Sequence, residues 1–440
     1  MKFTALGGGQ EIGANCFLYE IENKVIMIDT GRHPGKEGYE SLPEISGLGF
    51  VDYIIITHSH YDHVSALPWV AMKFTEAEII TSRENKNLMI KILHNSVSIM
   101  KRENEEKGDP IFYQHSDVTA LKRRITPLDF KTIVPISKDI SITLLPAGHV
   151  MGSSSVLIEA EGKKIFHTGD FSLTKQLSME PATIPEYADI VVSEGTYGNT
   201  EKIVSRHDEE KRLLKSIRAT IKNGGKILLP VFSLGRAQEV MYFILKELDD
   251  KKIHKVPVYI NGMVTGLANH YIANYEGKSS KERNWFQRKM RKYIKTIPDD
   301  YSKLLKIKGS SIFILSSGML LEDTLSYLFA KKMLKKKNNS IHFVGYLCKD
   351  TPGEKLVKNF KSDLKFTDDK GREHEINCKV EQFNFSAHAN YKDLVNLPRI
   401  LQPKRIIYVH GDKNSLLNLA DELQYEFQID IPGNFQEIIL

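Results

Sequence analysis

The sequence predicts an α/β protein whose β-rich body is interrupted by a second, parallel-sheet region. Three observations carry this prediction. Over residues 1–200, short apolar runs alternate with Gly-rich turns, and each run ends in a polar loop. From about residue 200, helical and strand patterns alternate, the rhythm of a parallel sheet with helices on both faces. Near residue 385 the polar motifs return, followed by one more strand and a helix. These changes of texture set segments at 1–200, 201–384 and 385–440, and 440 residues suffice for two or three cores.

The elements follow in order. Thr4-Ala5-Leu6 precedes Gly7-Gly8-Gly9, and Cys16–Tyr19 and Val25–Ile28 bracket Glu22-Asn23-Lys24 as a hairpin. Tyr53-Ile54-Ile55-Ile56 is continuously apolar, as a buried strand is. Residues 84–106 have helical periodicity, and Ser141–Leu145, Ser155–Glu159 and Lys164–Phe166 read as strands. In the middle region, helices are expected over Glu209–Ile221, Gly235–Leu248 and Leu320–Lys335. Strands are expected at Lys226–Val231, Val256–Ile260, Ser311–Leu315 and Ser340–Val344. Arg405–Val409 is the last strand, before a C-terminal helix.

Composition excludes several classes. With 41% hydrophobic and 26% charged residues, the chain is neither disordered nor membrane-spanning, since its apolar runs fall far short of the ~18 residues a span needs. Cys16, Cys348 and Cys378 are odd in number and lack Cys-x-x-Cys spacing, which argues against a disulfide framework and for a reducing, cytoplasmic setting. The net charge of +6 is mild, but Lys278–Lys308 holds eleven Lys/Arg with Trp285, Phe286 and Tyr293 interleaved, and Lys331–Lys337 adds five Lys. Such a stretch can follow a polyanion backbone and stack bases; the plain alternative is a solvated helix face.

The sharpest signal is His58-Ser59-His60-Tyr61-Asp62-His63, three imidazoles and a carboxylate directly after a buried strand. Imidazole nitrogen and carboxylate oxygen are zinc donors. On leaving an extended strand, alternate residues point the same way, so His58 and His60 can grip one ion. Asp62 and His63, in the following turn, can reach a second. Further donors stand at other strand ends beside glycine: His149 after Gly148, Asp170 after Gly169 and His410 before Gly411.

Taken together, these residues resemble the metallo-β-lactamase superfamily. Ser193-Glu194-Gly195-Thr196-Tyr197-Gly198, Asn384-Phe385-Ser386-Ala387-His388 and Val409-His410-Gly411 resemble the three motifs of its β-CASP nucleases. Gly7–Gly13, Leu234–Glu239 and Ser316–Leu320 are closer to the polyadenylation-factor endonuclease branch than to RNase J. The resemblance implies a four-layer αββα sandwich, built from 1–200 and 385–440, with an inserted Rossmann-like β-CASP domain over 201–384. It implies two Zn²⁺ per chain, one on His58, His60 and His149, the other on Asp62, His63 and His410, with Asp170 bridging.

The resemblance further implies His388 as the general acid, Glu194 as its carboxylate partner, and Asp62 among the catalytic residues. Ser233, Arg236, Ser317, Gly318 and Ser386 are candidate substrate contacts. The first four lie at strand-to-helix turns, where N–H groups and the helix dipole favour phosphate, although simple capping uses the same residues. The implied activity is hydrolysis of single-stranded RNA, endonucleolytic with a 5′-to-3′ mode left open. His410 favours RNA, because the DNA-directed branch typically lacks it. A DNA nuclease and a small-molecule hydrolase stay open as alternatives, though the latter needs neither His388 nor the insertion. No membrane partner is expected, and a homodimer is left open.

Overall fold

The computed structural model describes residues 1–199, 205–275, 277–298, 300–322, 324–348, 351–358, 365–367 and 372–440. The chain packs as two units: Met1–Lys175 with Pro181–Ile203 and His388–Leu440, and Gln176–Glu180 with Val204–Ala387. The expected boundary at 200/201 falls on residues outside the described ones.

The first unit contains two seven-stranded sheets. One runs Glu437–Ile439, Lys2–Gly7, Cys16–Ile21, Lys24–Ile28, Tyr53–Ile56, Glu78–Ser82, Ile125–Leu128. The other runs Gln428–Asp430, Arg405–Val409, Ile190–Glu194, Lys163–His167, Ser154–Ala160, Ile140–Pro146, Ile133–Pro135. Side-chain alternation decides which residues go where. Ile55 faces the interior shared by the two sheets, whereas Ile54 and Ile56 pack outward on the helices Leu67–Lys73 and Arg83–Lys107. In the same way Ile407 and Val409 point inward, and Ile406 and Tyr408 pack on the helices Tyr391–Leu401 and Lys413–Leu423. The result is the expected helix–sheet–sheet–helix sandwich.

The second unit is built on a six-stranded sheet, all parallel, in the order Ile294–Thr296, Val258–Ile260, Ser311–Leu315, Lys226–Pro230, Ser340–Val344, Lys379–Phe383. Both faces are covered. Ile227 and Leu229 meet the helices Arg206–Lys222 and Arg236–Asp249, while Leu228 and Phe313 meet the helix Leu325–Met333. A sheet buried on both faces needs continuously apolar strands, which is how these read in the sequence. The helix expected from Leu320 starts at Leu325. Leu320 takes a left-handed backbone (φ 54°), which breaks helical continuity, and Thr324 stands extended at the N-cap.

The structure revises the reading of Lys278–Lys308. Its helix, Ser280–Tyr293, turns its aromatics to the core. Phe286 is fully buried and stacks on Tyr242 at 3.8 Å, and Trp285 donates its indole N–H to Asp249 at 3.2 Å. Lys278 is buried and paired with Glu180, and Lys289 is held by Asp249. These aromatics pack the protein rather than bases. Among the described residues Cys16, Cys348 and Cys378 form no disulfide, and no helix is long and apolar enough to cross a membrane.

This packing makes a prediction. Phe286→Ala should destabilise the protein by about 3–5 kcal/mol, as loss of a buried phenyl ring does, whereas Arg288→Ala on the exposed face should stay within about 0.5 kcal/mol. Denaturant titration checks both.

Candidate metal centre

Four of the candidate side chains stand at the carboxyl ends of strands with a parallel neighbour in the two sheets of the first unit, where chain leaving a sheet is free to present polar groups. His58 follows Tyr53–Ile56, Asp170 follows Lys163–His167, Glu194 ends Ile190–Glu194, and His410 follows Arg405–Val409. His149 lies in the turn after Ile140–Pro146, and His388 lies just before the helix Tyr391–Leu401.

The short helix Tyr61–Val64 starts immediately after His60 and folds Asp62 and His63 back toward the strand end. That turn fits only because of Gly31: a Cβ there would sit 1.7 Å from the Asp62 carbonyl oxygen. The turn is pinned by backbone donors, Asn15 N–H to Asp62 O (2.9 Å) and Thr30 N–H to His63 O (2.8 Å).

Three groups of possible donors result, one of them Asp170 with Glu194 and His388, and the other two made of the expected metal ligands. His58, His60, His149 and Asp170 form one; Asp62, His63 and His410 form the other. Asp170 touches both. Its Oδ2 lies 3.6 Å from His58 Nε2, 3.6 Å from His149 Nε2 and 3.4 Å from His63 Nε2, and its Oδ1 lies 3.3 Å from His410 Nε2. Asp62 Oδ2 lies 3.8 Å from His63 Nε2 and 3.9 Å from His410 Nε2. His388 Nδ1 donates to Glu194 Oε2 at 2.8 Å and lies 3.8 Å from Asp170 Oδ2. Glu194 is itself fixed, its Oε1 accepting from Phe171 N–H at 2.9 Å.

The donor set fits divalent metal. His58 Nε2 and Asp170 Oδ1 are buried with no hydrogen-bond partner, and a buried polar atom without a partner is costly. A metal ion would engage both. Burial, reinforced by the charge of His63, holds His58 well below the ordinary imidazole range, and burial takes His60 to about 4. Both rings are therefore neutral, the state that donates a lone pair. Burial also opposes charge on His63, but Asp170, Asp62 and Asp29 outweigh it and raise that ring well above its usual range. The surroundings of His63 thus favour positive charge.

The comparisons with known proteins agree with this geometry. Residues 9–190 match the metallo-beta-lactamase superfamily, 237–356 the Beta-Casp domain, and 373–432 the Zn-dependent metallo-hydrolase RNA specificity domain. Integrator complex subunit 11 of Danio rerio is 30% identical over 453 residues, covering 99% of this chain and 73% of the relative. The chain belongs to the β-CASP family of the metallo-β-lactamase superfamily.

Cleavage and polyadenylation specificity factor 73 of Drosophila melanogaster is 29% identical over 443 residues, 98% of this chain and 62% of that protein. Endoribonuclease YSH1 of Yarrowia lipolytica is 29% identical over 441 residues, 97% of this chain and 52% of that protein. The chain thus spans between about half and three quarters of these relatives. The β-CASP family is one of metal-dependent hydrolases, and in this member the nine expected centre residues, His58, His60, Asp62, His63, His149, Asp170, Glu194, His388 and His410, are brought together.

The expected substrate contacts lie in the second unit. Ser233 and Arg236 follow the strand Lys226–Pro230, and Ser317 and Gly318 follow Ser311–Leu315. A Cβ on Gly318 would come within 2.9 Å of Phe232 N, so these two turns abut. Arg236 is buried beside Glu239, where burial opposes charge on the carboxyl but Arg206, the Ser178 hydrogen bond and then Arg236 outweigh it and hold the group below its usual range. Ser386 is half-buried, its N–H donating to Asn384 Oδ1 at 3.1 Å.

Two supporting residues escaped the sequence reading. Asp29, fully buried with a left-handed backbone (φ 61°), binds His63 Nδ1 through Oδ2 at 2.7 Å and accepts from Thr57 N–H and Thr57 Oγ1 at 2.7 and 2.6 Å. Asn15 Nδ2 lies 3.0 Å from His63 Nε2. The available signal was Ile28-Asp29-Thr30-Gly31, another carboxylate at a strand end near glycine. Carboxylates that orient ligand imidazoles typically matter 10–100-fold in metal affinity. Asp29→Ala should therefore weaken metal binding by about 10–100-fold, as read by competition with a chromophoric chelator.

Proposed function

We propose that this chain is a zinc-dependent ribonuclease that hydrolyses phosphodiester bonds within single-stranded RNA, using two Zn²⁺ per chain. The reading is carried by one observation: a carboxylate-held imidazole, His388 on Glu194, lies 3.8 Å from Asp170, the carboxylate that reaches both donor groups. Small-molecule hydrolysis by the same donors has no use for it. The names of the related endoribonuclease and RNA-specificity domain support RNA as the substrate class.

His58, His60 and His149 would hold one zinc, and Asp62, His63 and His410 the other, with Asp170 between them. When bound, the two cations supply Lewis acidity, activating a water and offsetting charge that builds on the phosphoryl group. Asp29 orients His63 for that role. Glu194 accepts a hydrogen bond from the Nδ1–H of His388, which leaves Nε2–H to face the leaving 3′-oxygen. Burial opposes charge on His388, but Glu194 and then Asp170 outweigh it and raise the ring to about 9. The imidazole is then protonated at neutral pH and can deliver the proton as the P–O bond breaks. Phe171 N–H, by fixing Glu194, keeps the ring aimed.

Incubating the protein with labelled RNA and DNA of equal sequence, with and without chelator, tests the reading. Chelator-sensitive cutting of RNA in preference to DNA is expected; RNA left intact overturns it. Two substitutions separate the roles. His388→Ala should keep its metal and lose ~10²–10⁴ in rate, and a 3′-phosphorothiolate substrate, whose sulfur leaves without a proton, should recover much of that loss. His410→Ala should lose metal and be rescued in part by excess Zn²⁺, not by the sulfur substrate. Metal content and single-turnover rates distinguish the two patterns.

A further inference from the structure

The second unit's parallel sheet has a functional-looking carboxyl edge, but its amino edge is also unusual. Lys226, the first residue of the central strand Lys226–Pro230, is buried. Its Nζ donates to Ile307 O (2.9 Å) and Gly309 O (3.1 Å), which uses two of three N–H groups. It forms the base of a cavity of about 330 Å³ also lined by Lys306, Lys332, Lys336 and Asn339.

On the other side of the Ile221–Lys226 turn lies a second cavity, about 670 Å³, lined by Arg218, Lys222, Lys251 and His254. No carboxylate is among the described lining residues of either. Lys252, at the second cavity, is paired with Glu247 and Asp250. Among the described residues, Lys306 and Lys336 have no ion pair.

Helix dipoles explain part of this. Lys222, Lys332 and Lys336 follow or end helices, where a cation gains some tenths of a kcal/mol. That gain does not require ammonium groups to converge on a cavity. Convergence without acids is repulsive, and burial together with Lys336 pushes the Lys226 amine down. A polyanion would remove the repulsion. Two basic cavities at the same edge of the sheet, one beside the end of the Leu325–Met333 helix and one beside the end of the Arg206–Lys222 helix, suit a chain of phosphodiesters passing around that edge better than a single compact anion, which one cavity would satisfy.

We infer that the amino edge of this sheet, at Lys226, Lys306, Lys332 and Lys336 and across the turn at Lys222 and Lys251, binds the backbone of single-stranded RNA. This rests on the ribonuclease reading for its choice of polyanion. It is a sequence-independent holding surface, at the opposite edge of the sheet from Ser233 and Ser317.

The test uses the full chain in chelator, so that RNA is bound and not cut. The variant carries Lys306→Gln, Lys332→Gln and Lys336→Gln, all exposed positions; the control carries Arg at the same three. The Gln variant should bind a 30-nucleotide RNA more weakly, and its plot of log affinity against log salt should be shallower by about 2, at roughly 0.7 per lost phosphate contact. The Arg control should keep the wild-type slope. Equal slopes for wild type and Gln variant overturn the proposal.

Amine labelling read by mass spectrometry is a second measure that needs no variant. RNA should protect Lys336 and Lys222 together. Protection of Lys336 by tripolyphosphate but not by RNA overturns the RNA assignment in favour of a compact anion. These binding results are independent of cleavage. A protein that cuts RNA but shows no change of slope refutes this surface alone, and one that cuts no RNA refutes the ribonuclease reading alone.

Discussion

The centre depends on a single buried charge. Asp170 is almost inaccessible, and a lone carboxylate in such a place would take up a proton rather than stay ionised. Burial pushes its pKa up, but His410, His63 and His388 outweigh burial and hold it well below the carboxylate range. The imidazoles that keep it ionised are the same ones that would hold metal or a transferable proton. Because Asp170 must meet His58, His63, His149 and His410 at once, the strands carrying them have to end at one level. The register of both sheets is subordinate to that requirement.

The support around the centre follows the same logic. An imidazole that serves as ligand or acid is oriented by the partner of its other nitrogen, and the structure supplies Asp29 for His63 and Glu194 for His388. Each carboxylate is in turn fixed by backbone N–H groups, from Thr57 and Phe171. Two strained positions, Asp29 and His410, adopt left-handed backbone (φ 61° and 49°), and both lie where a strand must turn sharply to aim a side chain. The sandwich interior, filled by residues such as Ile55 and Val409, holds these ends rigid.

The second unit solves a different problem. Its parallel strands are covered on both faces, so its polar chemistry is confined to the two edges of the sheet. The carboxyl edge carries the abutting turns at Ser233 and Gly318. The amino edge carries the lysine-lined cavities around Lys226. Segments equally basic in sequence end up with different roles: Lys278 and Lys289 are tied to Glu180 and Asp249, whereas Lys306 and Lys336 stand without counter-ions among the described residues.

The sequence alone determined the family and the αββα sandwich with its insertion, and it singled out the His and Asp residues that the structure gathers into groups able to hold metal. Their chemistry is local: a His-x-His-x-Asp-His run after an apolar strand has few other uses, and strand ends beside glycine are visible one segment at a time. It could not supply Asp29 or Asn15, because an orienting role exists only relative to a ring 34 or 48 residues away. Nor could it assign the aromatics of Ser280–Tyr293, since an amphipathic basic helix looks the same whether Phe286 meets Tyr242 or a base. Helix periodicity likewise ran through Leu320, where the path of the chain imposed a left-handed turn. Local pattern fixed residue types and elements. Packing across the sheets decided which carboxylates hold which rings, which lysines are neutralised, and which edge of the second sheet gathers positive charge, because each depends on distances between segments far apart in the chain.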